Sequence, residues 1–320
     1  MDRMKRILTS ALILLLTSIA CGSFSPTAVP RIENRDAAIP ADAVKQTPET
    51  DLYPPKSFTD EYTDPVSLPS PLNTRGAEDS AFIMPDGKTI YIWFTPSPAI
   101  PVEKQLLDGA TGIYVFHQNN GVWDEAERVV LQDPGKLALD GCEFVLENVM
   151  WFCSAREGYT GIHWFTAEFL DGKWQNWTDA NFPANYEVGE LHITADGREL
   201  YFHSPRASGL GELDIWVSQN VNGEWQEPVN VSVVNSTFSE GWPFITQEGL
   251  ELWFTRIVGA PELWRSLKVN GEWTEPQKMF GPFAGEASLD NQGNVYFTHH
   301  FYKDNVMIEA DIYIAYRKPQ

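Results

Sequence analysis

The chain has 320 residues, with 44 Asp plus Glu against 23 Lys plus Arg and a formal net charge of −21. That balance excludes a nucleic-acid binder working through phosphate contacts, which need a Lys/Arg surplus, and a basic face adhering to an anionic membrane. An aromatic content of 13 % excludes a disordered chain, and three Cys are too few for a disulfide scaffold.

Residues 1–20 read as an export signal. Arg3, Lys5 and Arg6 precede an apolar run from Ile7 to Leu16 that is too short to span a bilayer. The segment ends Thr17-Ser18-Ile19-Ala20-Cys21, which resembles a bacterial lipoprotein lipobox, with Ser18 where such boxes usually carry Leu. On that reading Cys21 is lipidated and becomes the mature N-terminus; an ordinary secretory signal is the alternative. Residues 21–62 carry Pro26, Pro30, Pro40, Pro48, Pro54 and Pro55 with little apolar periodicity, and read as an extended tether. No later apolar run reaches membrane-spanning length, so the membrane is met only through the anchor. The expected location is the extracytoplasmic side of a bacterial envelope.

Residues 63–320 form a repeat. Asn/Asp-Gly-x-Trp recurs at Asn120–Trp123, Asp171–Trp174, Asn222–Trp225 and Asn270–Trp273, with Trp spacings of 51, 51 and 48. Upstream of each lies an apolar segment such as Asp214-Ile215-Trp216-Val217. A second unit precedes these: a strand, a turn such as Pro85-Asp86-Gly87 or Ala195-Asp196-Gly197, and an aromatic strand. The aromatic strands are Ile90–Phe94, Met150–Phe152, Leu200–Phe202, Leu252–Phe254 and Val295–Phe297. Asn-Gly and Asp-Gly between alternating apolar runs signal hairpins, so each repeat is four antiparallel strands. Four strands about every 50 residues define a β-propeller. Five aromatic strands predict five blades in one all-β domain. The last blade lacks its outer strand, which Asp64-Pro65-Val66-Ser67-Leu68 supplies, closing the ring near residues 63–68 and removing free sheet edges.

The run Glu190-Leu191-His192-Ile193, Ala195-Asp196-Gly197, Leu200-Tyr201-Phe202, Asp214–Ser218 and Asn222–Trp225 resembles the WD40-like β-propeller repeat of the TolB type. The resemblance covers about four fifths of the chain and implies the fold. It does not imply one function, because such repeats serve binding proteins, sensors and enzyme-associated modules.

In a propeller the innermost strands converge on a central channel, so their starts are the most informative positions. They carry Glu78 and Asp79, Asp140 and Glu143, Glu187 and Glu190, Glu240 with Trp242, and Glu286. The ends of the second strands add Arg156, Arg206, Arg256 and His299 of a His299-His300 pair, with Trp93 and His203 as further wall residues. Together these make a polar pocket with aromatic walls; the alternative use of the charged groups is to tie neighbouring blades together. Cys142 and Cys153 flank the turn at Glu147-Asn148 and would face each other across the hairpin, within disulfide reach; two buried thiols are the alternative. No phosphate loop, His-Glu-x-x-His, Cys-x-x-Cys or Gly-x-Ser-x-Gly occurs, so no dedicated metal or cofactor is expected. Channel carboxylates offer oxygen ligands to Ca²⁺ alone.

Three readings follow. The first is a monomeric lipoprotein whose propeller face captures a glycan, peptide or envelope protein. The second is a glycosidase using Asp79, Glu143, Glu190 and Glu286, because five-bladed propellers include arabinanase- and xylosidase-like enzymes. The third is an envelope scaffold of the TolB kind.

Overall fold

The computed structural model describes residues 34–319. The expected export signal, Cys21 and residues 22–33 of the expected tether lie outside the described residues. The described chain is all-β. Its helices are the four-residue segment Val102–Gln105 and two 3-10 turns, Arg35–Ala38 and Ala184–Tyr186. No helix among the described residues is long and apolar enough to cross a membrane.

The strands form antiparallel meanders, ordered in space as in sequence. One runs Ala77–Ile83, Thr89–Thr95, Gly112–Asn119, Glu127–Arg128. The next runs Ala138–Leu146, Val149–Arg156, His163–Leu170, Lys173–Asp179. Leu191–Ile193, Glu199–Ser204, Asp214–Val221 and Val229–Asn230 follow, then Ser239–Ile245, Glu251–Val258, Ala260–Val269 and Gln277–Gly281. Ala284–Leu289, Val295–Lys303 and Val306–Ala315 come last, and Val66–Ser67 pairs onto their outer edge through Val66–Ile314 and Ser67–Tyr313. This last group and the first share one nine-stranded sheet through a single parallel bridge, Ala310–Ala77.

The hairpins form for the reason the sequence suggests. Both residues of the Asn/Asp-Gly pair in each Asn/Asp-Gly-x-Trp unit, for instance Asn222 (φ 56°) and Gly223 (φ 89°), take positive φ, the geometry that matches the twist of two-residue hairpins. The aromatic second strands are buried on both faces: Ile90, Met150, Phe152, Phe202, Phe254 and Phe297 are all solvent-free, as is Trp253 on the opposite face. Burying each such side chain contributes roughly 1.5–3 kcal/mol. The Trp of the repeated turn unit packs between sheets. Trp174 meets Tyr91 edge-on at 6.2 Å and Trp273 meets Tyr201 at 6.1 Å.

Residues 34–62 do not hang free. They lie across the sheets as a strap. Arg35 is buried, donates to the Pro71 and Leu72 carbonyls at 2.6 Å and sits over the Phe94 and Phe116 rings. Lys45 pairs with Glu309 and Asp311, Asp51 with His299, and Glu61 with Arg265. Lys56–Ser57 adds an edge strand to Phe280–Gly281, and Tyr62 is enclosed by Trp253 and Phe280. Proline-rich composition suggested a chain without partners. What it missed is that single long side chains, spaced about ten residues apart, dock an otherwise irregular segment. The strap also bounds a groove of about 760 Å³ lined by Lys45, Pro54, Pro65, Leu68 and Tyr313 among others, which shares no residue with the acidic cluster described below.

Cys142 and Cys153 are joined, with Cα atoms 5.4 Å apart. They are not directly opposite, as equal counting from the turn predicts. Gly141 pairs with Cys153, because the strand carries one extra residue.

Candidate functional site: an acidic cluster at the channel mouth

That extra residue is the device that builds the site. In four innermost strands the ladder shifts at the same place: between Asp79 and Phe82, Gly141 and Phe144, Gly241 and Phe244, and Gly285 and Ser288. Two residues there oppose one, a β-bulge, and the first takes a left-handed conformation: Ser80 (φ 51°), Cys142 (φ 56°), Trp242 (φ 52°) and Glu286 (φ 58°). In the remaining innermost strand Glu190 is the extra residue, since Gly189 donates to the His203 carbonyl and His203 donates back to Glu190. A bulge re-aims its side chain and sharpens the local twist. Repeated on converging strands, it brings side chains of different meanders into contact.

Ser80 Oγ donates to Glu286 Oε2 at 2.5 Å, and Trp242 Nε1 donates to Glu190 Oε1 at 2.9 Å. The Glu286 amide donates to Thr255 Oγ1, and the Trp242 amide to His203 Nδ1 at 3.2 Å. Cys142 turns instead toward Cys153, and its neighbour Glu143 takes the place in the cluster. His203 is clamped between glycines: a Cβ on Gly189 would sit 2.2 Å from its ring and 2.7 Å from its own backbone oxygen. Gly189→Ala is therefore expected to destabilise the protein by about 3 kcal/mol or more, as overpacking does. A chemical denaturation midpoint equal to wild type would contradict this close approach.

Electrostatics single out four carboxyls. Burial, then the charge of Asp79, pushes Glu190 up to about 8. Burial pushes Glu143 well above the usual carboxylate range, and the charges of Glu286 and Asp79 add to it. Glu286 is raised by burial and by Asp79 and Glu190. Asp79 moves the other way: burial opposes it, but His300, whose Nε2 lies 3.6 Å from Asp79 Oδ1, holds it low. Both oxygens of Glu143 lack a hydrogen-bond partner although the residue is only 5 % exposed. Like charges in a low-dielectric site behave this way, and such clusters gather at functional sites.

Beneath the carboxyls lies an aromatic floor, one to three residues further along the same strands. Phe82 and Phe144 meet edge-on at 5.4 Å, His192 lies 4.2 Å from Phe144 and 4.5 Å from Phe244, and all are buried. Burial holds His192 down to about 3 and His203 to about 4, so both are neutral.

The residues named from sequence divide into two groups. Asp79, Glu143, Glu190, Trp242 and Glu286 come together at the mouth. Glu78, Asp140 and Glu240 sit one to three positions earlier and serve the sheets. Glu78 accepts from Thr74 and faces Arg35 at 3.3 Å. Asp140 takes Ser154 and Arg156, and Glu240 takes Ser236 and Arg256. Arg156 and Arg256 lie over Trp177 and Trp264 at 4.3 and 4.4 Å, and Arg206 pairs with Glu227, so these three guanidinium groups do not neutralise the cluster. Glu187 is an exposed left-handed cap of a 3-10 turn. His299 is solvent-free, with Asp51 at 2.8 Å and the Phe283 carbonyl at 3.1 Å; His300 is the histidine at the mouth. Strand alternation carries the missing signal: His300 lies two residues after Thr298, and so on its face.

No protein-family model and no curated protein matches the chain. Among solved structures, an endo-arabinase from Bacteroides thetaiotaomicron superposes with a TM-score of 0.50 at 12 % identity, covering 80 % of this chain and 98 % of that one. TolB from Acinetobacter baumannii gives 0.43 at 13 % identity over 78 % of this chain; the match spans only 56 % of that protein's length. A protein of unknown function from Dyadobacter fermentans gives 0.47 at 11 % identity, with coverages of 83 % and 100 %. At these identities the likeness is one of fold, and it defines the class: an all-β protein of the propeller type.

Proposed function

We propose that this is an exported saccharide-binding protein, anchored through Cys21 on the extracytoplasmic side, whose ligand sits at the channel mouth. Counting the nine-stranded sheet as two blades makes the propeller five-bladed, closed by Val66–Ser67 on the last blade. The Cys142–Cys153 bond suits an oxidising compartment. The observation that carries the reading is the convergence of four carboxyls from four innermost strands beside the half-buried indole of Trp242, over an aromatic floor. Carboxyls in mixed protonation states offer both donors and acceptors to hydroxyl groups, and a neighbouring indole offers an apolar face with a polar edge.

Hydrolysis is the second reading, and one residue favours it. Glu190 is fixed by Trp242 Nε1 and keeps its proton to about 8, the condition a general acid meets at neutral pH. The test is a glycan array with a parallel hydrolysis screen on the full chain, wild type against Glu190→Gln. Retention of one glycan class is expected. Turnover that falls by about 10²–10⁴ in Glu190→Gln with binding kept establishes the acid. Binding without turnover in wild type removes the enzyme reading, and binding to no glycan removes the saccharide reading.

A further inference from the structure

Four carboxyls meet at the mouth; among the described residues the guanidinium groups of Arg156, Arg206 and Arg256 are held by carboxylates elsewhere, and the imidazole of His300 faces Asp79. One imidazole is little countercharge for four carboxyls. We propose that Asp79, Glu143, Glu286 and His300 bind a first-row divalent cation, Zn²⁺ or Mn²⁺, at the channel mouth. The proposal deepens the channel-mouth reading above but does not require that the ligand be a saccharide.

Two independent observations carry it. The nearest ligand atoms of Asp79, Glu286 and His300 all lie within 4.8 Å of one another. The Asp79 Oδ1 to His300 Nε2 separation of 3.6 Å is long for a hydrogen bond. It is close to the edge of a tetrahedron with metal–ligand bonds of about 2.0–2.2 Å, roughly 3.4 Å. The second observation is Glu143. A carboxyl group that is 5 % exposed with neither oxygen hydrogen-bonded is costly, and it sits at the bulge of a strand whose next residue, Phe144, packs 5.4 Å from Phe82 of the Asp79 strand, so the two bulges lie side by side. A cation supplies the partner it lacks.

The donor set selects the ion. Ca²⁺ takes six to eight oxygens, whereas an imidazole nitrogen beside carboxylates suits Zn²⁺ or Mn²⁺. The surroundings orient the ligands, as metal sites require. Ser80 Oγ donates to Glu286 Oε2, the Ser80 amide donates to Asp79 Oδ1 at 3.0 Å, and the Glu286 amide is fixed on Thr255. Glu190, held by Trp242, is not among the residues whose ligand atoms meet. It remains free to meet a ligand beside the ion.

The test is calorimetric titration of the full chain, purified in chelator and then exchanged out of it, with ZnCl₂, MnCl₂ and CaCl₂ in turn and no glycan present. One equivalent of Zn²⁺ or Mn²⁺ is expected, with affinity falling at least about tenfold in Asp79→Asn and in His300→Gln. If either variant fails to fold, Co²⁺ loaded into wild type still reports: the electronic spectrum and the shifted imidazole resonances identify a nitrogen ligand. No stoichiometric binding, binding unchanged in both variants, a preference for Ca²⁺, or a Co²⁺ spectrum without nitrogen each overturns the proposal. Metal binding without glycan binding sinks only the saccharide reading, and the reverse result sinks only the metal site.

Discussion

A chain that begins at residue 63 is expected to lose most of the stability of one that begins at residue 34. The strap removes solvent from charges that it also neutralises. Without Arg35, the solvent-free Glu78 keeps Thr74 but loses its cation; without Lys45, the buried Glu309 and Asp311 face each other; without Glu61, buried Arg265 keeps only Glu251 at 3.7 Å. Breaking a buried pair by removing one partner costs about 3–5 kcal/mol where the other stays enclosed. Even part of that cost at each of the three pairs, together with the lost packing of the strap, is a large share of an ordinary domain's stability, about 5–15 kcal/mol. Loss of Tyr62 from between Trp253 and Phe280 adds a cavity. Arg35→Ala alone carries the first of these terms, about 3–5 kcal/mol. Thermal unfolding followed by near-ultraviolet circular dichroism checks it. A truncated chain with the wild-type transition would show that the strap is dispensable.

The second large effect is a fall in stability between pH 6.5 and 8. Asp311 is raised to about 7, by burial against the opposing charge of Lys45, and Glu190 to about 8. An acid raised in the folded state binds a proton there that the unfolded chain has released, so its contribution is full below about 4 and is lost as pH climbs through the folded value. Two buried imidazoles act in the opposite sense: His192 at about 3 and His203 at about 4 favour folding above the unfolded histidine value near 6.5, and that contribution disappears as pH falls below it. Between about pH 5 and 6.5 the imidazoles offset Asp311 and Glu190, but Glu78, Glu143 and Glu286, each raised by burial, leave a net decline. Above 6.5 the two imidazoles are finished; Asp311 and Glu190 alone then titrate over about two pH units in sum, or roughly 3 kcal/mol, and the other raised acids add to that fall. Glu309, also raised, acts in the same direction, and Lys45, raised from an already high value, stays charged throughout. Denaturation midpoints of metal-free protein should decline gently from pH 5 to 6.5 and more steeply toward 8. Midpoints that rise toward 8 would show that these carboxyls are not buried as described.

The hairpins, the aromatic second strands and the Trp turn units were legible because each rests on local chemistry: a residue pair that tolerates positive φ, or a run apolar on both faces. Four of the five carboxylate-bearing strand starts also contribute to the acidic cluster, as strand convergence implies. Counting by alternation failed where the bulges sit. An extra residue at Ser80, Cys142, Trp242 or Glu286 changes which neighbour faces the channel, and no local signal marks it. That is why Glu78 and Glu240 looked equivalent to Asp79 and Trp242 while serving Arg35 and Arg256 instead. It is also why Cys153 is opposite Gly141. The strap was illegible for a different reason: Arg35, Lys45, Asp51 and Glu61 act through partners more than 40 residues away. Short-range pattern carries no record of such pairings.

On the proposed reading, the ligand meets the mouth of the channel beside Trp242 and Glu190. The direct measurement is the calorimetric isotherm of the best array glycan on wild type, Trp242→Ala and, as an outer-surface control, Glu227→Gln. Loss of at least about 2 kcal/mol in Trp242→Ala, some thirtyfold in affinity, with the control unchanged is the predicted result. Wild-type affinity in Trp242→Ala would place the ligand elsewhere and contradict it.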